Sequence, residues 1–359
     1  MASSSAPTGL NLTQVTYFGR QGLKVVAILI ISLMVGRFLL NGFTAFWNAV
    51  NPPPPPPPTV GFGAIPALKF PSEAAGTKPK SYQLETATGG LPQFGDRAKV
   101  LLMPKQSSGL LDDENAKKIG SSLGFVFKPE VIGQNTYRWT KLEPLQSVLE
   151  MDLPTKHFAL TTSYASRPDL LLNTVVPDTF TAVSSVKAFL QKATLLPQDI
   201  ATVSGETKYL KAVGAELQEA VSYSDADYVQ VELTRYPIDG EYFMVTPQGT
   251  KGTIHAIVGG GGSTSTPRII EMEMQHFAVD YSQVETYPLR SVQAAWKVVQ
   301  AGEGYVAAGK PADIARIREV YLAYFDDFSA QDYLQPVFVF AGDDGVMVYV
   351  SAIDPKYTL

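Results

Sequence analysis

The sequence predicts an α+β fold: an N-terminal transmembrane helix, a Pro-rich stalk, then helices packed on antiparallel sheets. Three observations predict it. From Val25 to Val50 almost every residue is apolar or small and none is acidic, and seven consecutive prolines, Pro52–Pro58, come next. Beyond them, stretches of helical period alternate with runs of several period-two segments, the pattern of α+β rather than βαβ folds.

Roughly 20 apolar residues at ~1.5 Å each cross a hydrocarbon core of about 30 Å, so residues 25–50 are read as one span. The run is longer than a signal-peptide core. Ala45-Phe46-Trp47 and Asn48-Ala49-Val50 both place large residues where a signal peptidase needs small ones. An uncleaved signal-anchor is therefore expected. Arg20 and Lys24 precede the run and the next base after it is Lys69. The positive-inside rule then makes residues 1–24 a short cytoplasmic tail and puts the C-terminal region outside. Trp47 suits the outer aromatic belt. Arg37 interrupts the span: it either snorkels to the interface or meets an acid on a partner's transmembrane helix, with Gly36 and Gly42 permitting close approach.

Of a net charge of −5, residues 1–50 hold +3; the remaining 26 basic and 34 acidic residues leave −8. Such an acidic region does not read as a nucleic-acid binder. The chain has no cysteine, which excludes disulfides, a thiol nucleophile, iron–sulfur clusters and cysteine-ligated zinc.

Proline lacks an N–H and cannot continue the helix, so Pro52–Pro58 predicts a stiff polyproline II rod. Residues 51–80 are read as linker, with Phe62, Ile65 and Phe70 docking on the folded region C-terminal to it. A first folded unit is expected over 81–175. Asp112 is read as the cap of a helix with Ala116, Ile119 and Leu123 inward, and Gly124 ends it. Strands are predicted at Thr136–Thr140, Val148–Leu153 and His157–Ser163, the last two joined by a turn at Pro154-Thr155-Lys156.

A second unit is expected over 176–359. Asp178 caps a helix carrying Val183, Val186, Phe189 or Leu190, and Ala193. A further helix is predicted with Leu210, Val213, Leu217 and Ala220 on one stripe. Val229, Val231 and Leu233 alternate with Gln230, Glu232 and Thr234 as a half-buried strand. Asp239-Gly240 marks a tight turn. Thr253–Val258 and Ile269–Val279 read as strands, joined by a loop that begins with Gly259–Gly262. Ser291 caps a helix with Val292, Ala295, Trp296 and Val299 inward, and Gly302 ends it. Arg316–Phe325, Leu334–Phe340 and Val346–Ile353 complete the unit as strands.

Tyr287-Pro288-Leu289 with Ser291, Ala294-Ala295-Trp296, Val320–Phe325 and Tyr333–Phe340 carry a resemblance. Over roughly residues 285–353 the chain resembles extracytoplasmic regulators of the YycH/YycI type, single-pass bacterial proteins that restrain an envelope-sensing histidine kinase. That resemblance implies a helix packed on a meander, and a sensor kinase as partner. The proline rod and the GFGAIPALKFP segment after it look instead like anchored envelope proteins of candidate-phyla bacteria.

The chemistry-bearing residues form no recognisable constellation. His157, His255 and His276 fall inside predicted strands. In IIEMEMQHF, alternation places Glu271 and Glu273 on the face opposite His276, so no metal site is expected. Asp225 and Asp227, Asp326-Asp327 and Asp343-Asp344 read as solvated loop and turn acids. Ser107-Ser108-Gly109 and Ser184-Ser185 lack a nucleophile elbow, and Gly259–Gly262 precedes a strand rather than a helix, unlike a phosphate cradle. No catalytic residue and no cofactor are predicted. Aromatic residues make up 11% of the chain, and Tyr236, Tyr242, Tyr281 and Tyr324, near strand edges, are the candidate partner contacts beside Arg37. The expected function is a non-catalytic, membrane-anchored interaction or regulatory protein of the bacterial envelope whose partner is another envelope membrane protein. The alternatives are a structural adaptor of an envelope complex and a wall-polymer enzyme with dispersed carboxylates.

Overall fold

The computed structural model describes residues 12–51, 56–72, 74–143, 145–163, 175–214, 216–260, 267–311 and 313–359. They divide into two compact units, Met1–Pro57 and Pro58–Leu359. In the first, α1 (Leu12–Val50) is a continuous 39-residue helix. Its segment Thr16–Asn48 has a mean hydropathy of 2.3 and is long and apolar enough to cross a membrane. The helix begins well before Val25 and takes in much of the expected tail, because Leu12–Lys24 contains only one glycine pair, Gly19 and Gly22, and no proline. Pro52–Pro55 of the expected rod lie outside the described residues.

The second unit opens with β1 (Ser81–Leu84), β2 (Arg97–Leu102), α2 (Asp112–Ser122), β3 (Glu130–Val131), β4 (Thr136–Lys141), β5 (Ser147–Asp152) and β6 (Phe158–Thr162). Next come α3 (Thr179–Lys192), α4 (Gln198–Ala201), β7 (Glu206–Val213), β8 (Glu216–Glu219), β9 (Tyr228–Leu233), β10 (Met244–Val245), β11 (Ile254–Gly259) and β12 (Arg268–Met274). The last are β13 (Asp280–Pro288), α5 (Val292–Gln300), β14 (Tyr305–Ala308), β15 (Ile314–Phe325), β16 (Tyr333–Gly342) and β17 (Met347–Ser351).

Two sheets result, and the fold is α+β as the patterning predicts. One has nine strands in the order β3-β4-β5-β6-β12-β11-β9-β7-β8, every pair antiparallel. Its core face receives Val229, Val231 and Leu233 of β9, together with Ala182, Val183, Val186 and Leu190 of α3. The other takes the order β1-β15-β16-β17-β14, with β10 beside β15 and β2 joining β16 and β13. Two of its pairings, β1 and β10 with β15, are parallel. Helix α5 lays Val292, Ala295 and Val299 on its core. The expected boundary at 175/176 runs through the nine-stranded sheet, where β6 pairs β12, and residues 58–359 form one compact unit.

The predicted caps at Asp178 and Ser291 are present, accepting from Thr181 N–H and Ala294 N–H. Gly124 takes φ +94° while Phe125 N–H returns to Gly120 O, closing α2 as expected. Asp112, however, is the first helical residue and not the cap; its carboxylate accepts from Gly109 N–H at 2.6 Å. The predicted helix over Leu210–Ala220 is the β7–β8 hairpin, which turns at Gly214 with φ +66°. Strand β12 stops at Met274 rather than Val279, so His276 lies in the connection to β13 and outside any strand.

The linker docks along most of its described length. Val60 N–H donates to Thr286 O, Ile65 N–H to Tyr357 O, and Leu359 N–H to Ile65 O. Ile65 is fully buried. The Phe62 ring packs on Tyr333, and Phe70 stacks on Tyr305 at 5.1 Å. Gly76 N–H and Thr77 N–H then bond Val306 O and Gly309 O.

Candidate functional site

Two adjoining features sit where the sheets meet. The first is a buried arginine. Arg235 comes after β9 at the position that continues the inward alternation of Val229, Val231 and Leu233, and its side chain is 0% exposed. Its Nε donates to Asp326 Oδ2 at 2.8 Å and its Nη1 to Asp199 Oδ2 at 2.6 Å. Its Nη2 bonds Phe277 O and Asp326 Oδ1. His276 Nε2 lies 3.1 Å from Asp199 Oδ1, and Tyr281 Oη donates to Asp199 Oδ2 at 2.9 Å. Asp199 belongs to α4 above the nine-stranded sheet, whereas Asp326 directly succeeds β15 of the other. The guanidinium therefore ties the two sheets together.

Burial alone would raise the Asp199 pKa. The His276 hydrogen bond, with the charges of His276 and Arg235, outweighs it and holds the carboxyl well below the usual carboxylate range. Burial also opposes the charge on Arg235, but Asp326 and Asp199 more than compensate and push its pKa up. Burial, and after it the charge of Asp199, pushes the Tyr281 hydroxyl up as well. Arg235, Asp199, Asp326 and His276 are all buried, and a bonded cluster of this kind holds a shape.

The second feature is open. A cleft of about 640 Å³ is lined by Glu206 of β7, Glu232 of β9, Glu241 and Tyr242 before β10, and Glu319 and Tyr321 of β15. Phe243 also lines it and stands 65% exposed. Among the described residues, no lysine or arginine lines it. Glu206 and Glu232 are directly opposed across β7 and β9. Glu232 accepts from Gly252 N–H at 2.7 Å and Gln230 Nε2 at 2.7 Å, and pairs with His255 Nδ1 at 2.6 Å. Burial, then Glu319 and Glu206, pushes the Tyr321 hydroxyl up to about 12. Burial, then Glu241 and Asp239, raises that of Tyr242. Both tyrosines thus stay neutral and present their rings and hydroxyls beside four carboxylates.

The predicted contact residues separate on this geometry. Tyr242 lines the cleft. Tyr236 is 37% exposed and stacks on Tyr281 at 5.2 Å, so Tyr236 offers an outer face while Tyr281 is tied inward to Asp199. Tyr324 does not reach the surface: it is 1% exposed and its hydroxyl donates to Lys99 O. Arg37 is exposed on α1. Asp326 is no turn acid but the buried partner of Arg235, and Asp327 is also buried, its pKa raised by that burial. Asp225 and Asp227 are engaged, the first by Lys211 and the second by Ala212 N–H. Motif and spacing do not single out Arg235, Asp199 or Phe243. Alternation along β9 is the available signal for Arg235.

The fold and its sites define an α+β protein that carries a helix long and apolar enough to cross a membrane. No protein-family model matches the chain, and no curated protein sequence matches it. Among solved structures, the Bacillus megaterium YpeB C-terminal domain aligns with 70% of this chain and 95% of its own, at a TM-score of 0.32 and 10% identity. A likeness at that score carries no argument, and no comparison bears out the YycH/YycI-type resemblance.

Proposed function

We propose that this is a non-catalytic, membrane-anchored interaction protein of the bacterial envelope, whose cleft receives a basic segment of another envelope membrane protein. One observation carries the reading: four glutamates share a cleft with Tyr242, Tyr321 and exposed Phe243, and among the described residues no lysine or arginine lines it, His255 engaging Glu232 alone. A lysine or arginine entering there meets complementary charge and aromatic faces at once. Exposed Phe243 supplies the kind of apolar anchor on which interface energy concentrates. Arg20 and Lys24 ahead of the apolar segment support an inside N-terminus, with the folded unit outside the cytoplasm. Restraint of a sensor kinase and assembly into a structural complex would both use this cleft; the identity of the captured protein distinguishes them.

The test is crosslinking and copurification from native membranes. Glu319→Lys combined with Phe243→Ala is expected to cut partner recovery at least tenfold, and raised salt should weaken the wild-type complex. Unchanged recovery with the folded double variant would remove the cleft from the interface. A second reading, hydrolysis of a wall glycan, is favoured by the opposed pair Glu206 and Glu232, since two facing carboxylates are the minimum set for that reaction. Glu232 is occupied by three polar neighbours, which suits positioning better than proton transfer. Glycan cleavage by wild type that vanishes in Glu206→Gln would establish the enzyme instead.

A further inference from the structure

A second concave surface has the opposite character. A cavity of about 540 Å³ lies between the segment after α2 and the C-terminal half of α3, over β5, β6 and β12. Leu123, Phe125, Leu145, Leu160 and Phe189 give it an apolar wall. Among the described residues its charged lining is Lys141, Lys192 and Arg268, with no carboxylate, although acids outnumber bases in the chain by 34 to 29. Lys141 closes β4, Lys192 ends α3 and Arg268 opens β12. Three separate elements therefore deliver cations to one apolar hollow.

These cations are not used by the fold. Among the described residues, Arg138 pairs Glu150 and Lys251 pairs Glu273 on the same sheet. Lys141, Lys192 and Arg268 take part in no ion pair there. The Nη1 of Arg268 is buried and has no hydrogen-bond partner among the described residues. A buried guanidinium N–H without an acceptor is costly, and half-buried Lys141 stands beside the same apolar wall with exposed Lys192 at its rim. An occupant with an apolar body and a single anionic end answers both conditions. The volume lies within the range of small-molecule sites.

We infer that this cavity binds one long-chain fatty acid. The acyl chain lies against Leu160, Phe125 and Phe189, and the carboxylate meets Arg268 with Lys141 and Lys192. The charge of the wall excludes a cationic ligand, and its apolar area disfavours a small hydrated anion such as free phosphate. Nothing in this assignment depends on the acidic cleft, so either site can fail alone.

The test uses the full chain in phosphatidylcholine nanodiscs and a diazirine-bearing palmitate as probe, with labelled peptides mapped by mass spectrometry. Labelling is expected on the peptides that carry Leu160 or Phe189. Palmitate should compete, while palmityl alcohol and inorganic phosphate should not. Arg268→Gln should lower labelling at least tenfold. Ala188→Trp, a change at an exposed helix position on the cavity rim, should do the same by filling the space, and it leaves the core residues intact if Arg268→Gln misfolds. Labelling confined to α1, equal competition by the alcohol, or full labelling in folded Ala188→Trp would overturn the inference. Stronger labelling at the same peptides by a diazirine phospholipid than by the fatty acid would also overturn it, and would make the ligand a membrane lipid.

Discussion

Arg235 shows what a single buried charge commits a fold to. It pairs with Asp199 of α4 and with Asp326 after β15, so removing it leaves Asp326 buried without its cation and Asp199 with only His276 and Tyr281. Arg235→Leu is expected to cost about 3–5 kcal/mol in denaturant unfolding, the usual penalty for breaking a buried pair from one side; a loss under about 1 kcal/mol would mean water or a neighbour replaces it. Acid should act on the same cluster. The folded pKa of Asp199 is depressed, so its contribution is complete above the unfolded value of about 3.9 and is lost as pH falls through and below it. His157 acts one window higher. Burial lowers its pKa, so the unfolded chain takes up the proton first and stability declines below about pH 6.5. Urea midpoints should therefore fall in two stages on acidification, and His157→Gln should remove the upper one. The alternation Val229, Val231, Leu233, Arg235 is legible in the sequence and places the arginine inward. Its partners lie 36 and 91 residues away, and no local pattern encodes such a separation.

Elements with local signatures are the ones the sequence discloses. Asp178 and Ser291 begin helices because each side chain satisfies an N–H that the first turn leaves free. The stretch Leu210–Ala220 is ambiguous for a physical reason. Its apolar residues fit a helical stripe, yet Gly214 supplies the left-handed turn, and Leu210 finds its packing with Tyr228, Ile257 and Ile270. Tertiary burial decides between two local solutions. In α5 the inward face is Val292, Ala295 and Val299, and Trp296 is half-buried at its margin, packed on Phe340 at 5.6 Å. Trp296→Ala is accordingly expected to cost about 1–3 kcal/mol, less than a core tryptophan, while exposed Lys297→Ala changes stability by under about 0.5 kcal/mol. Equal effects at the two positions would place the helix face wrongly.

At the scale of the whole molecule, the sheets interleave along the chain. β1 and β2 precede the nine-stranded sheet in sequence, yet belong with the C-terminal strands. A boundary drawn from composition and period could not find this, because the edges of β15 and β13 that receive β1 and β2 exist only after folding. The acidic cleft is hidden for the same reason: its glutamates come from separate stretches and converge only when the two sheets meet. Anchoring is tested at this scale as well. A reporter fused after Leu359 should be active only outside the cytoplasm, with Met1 or Ala2 retained as the mature start; a mature N-terminus between Phe46 and Thr59 would make the helix a cleaved leader.

The docking of the linker determines how the chain bears tension. Because Thr59 and Val60 are already bonded to Thr286, and Ile65 is bonded to both Tyr357 and Leu359, a pull from the N-terminal side loads these bonds before it reaches β1. The knot is tied at β13 and at the last residues of the chain, so a force arriving at Thr59 is borne by the same bonds that hold Leu359 in place.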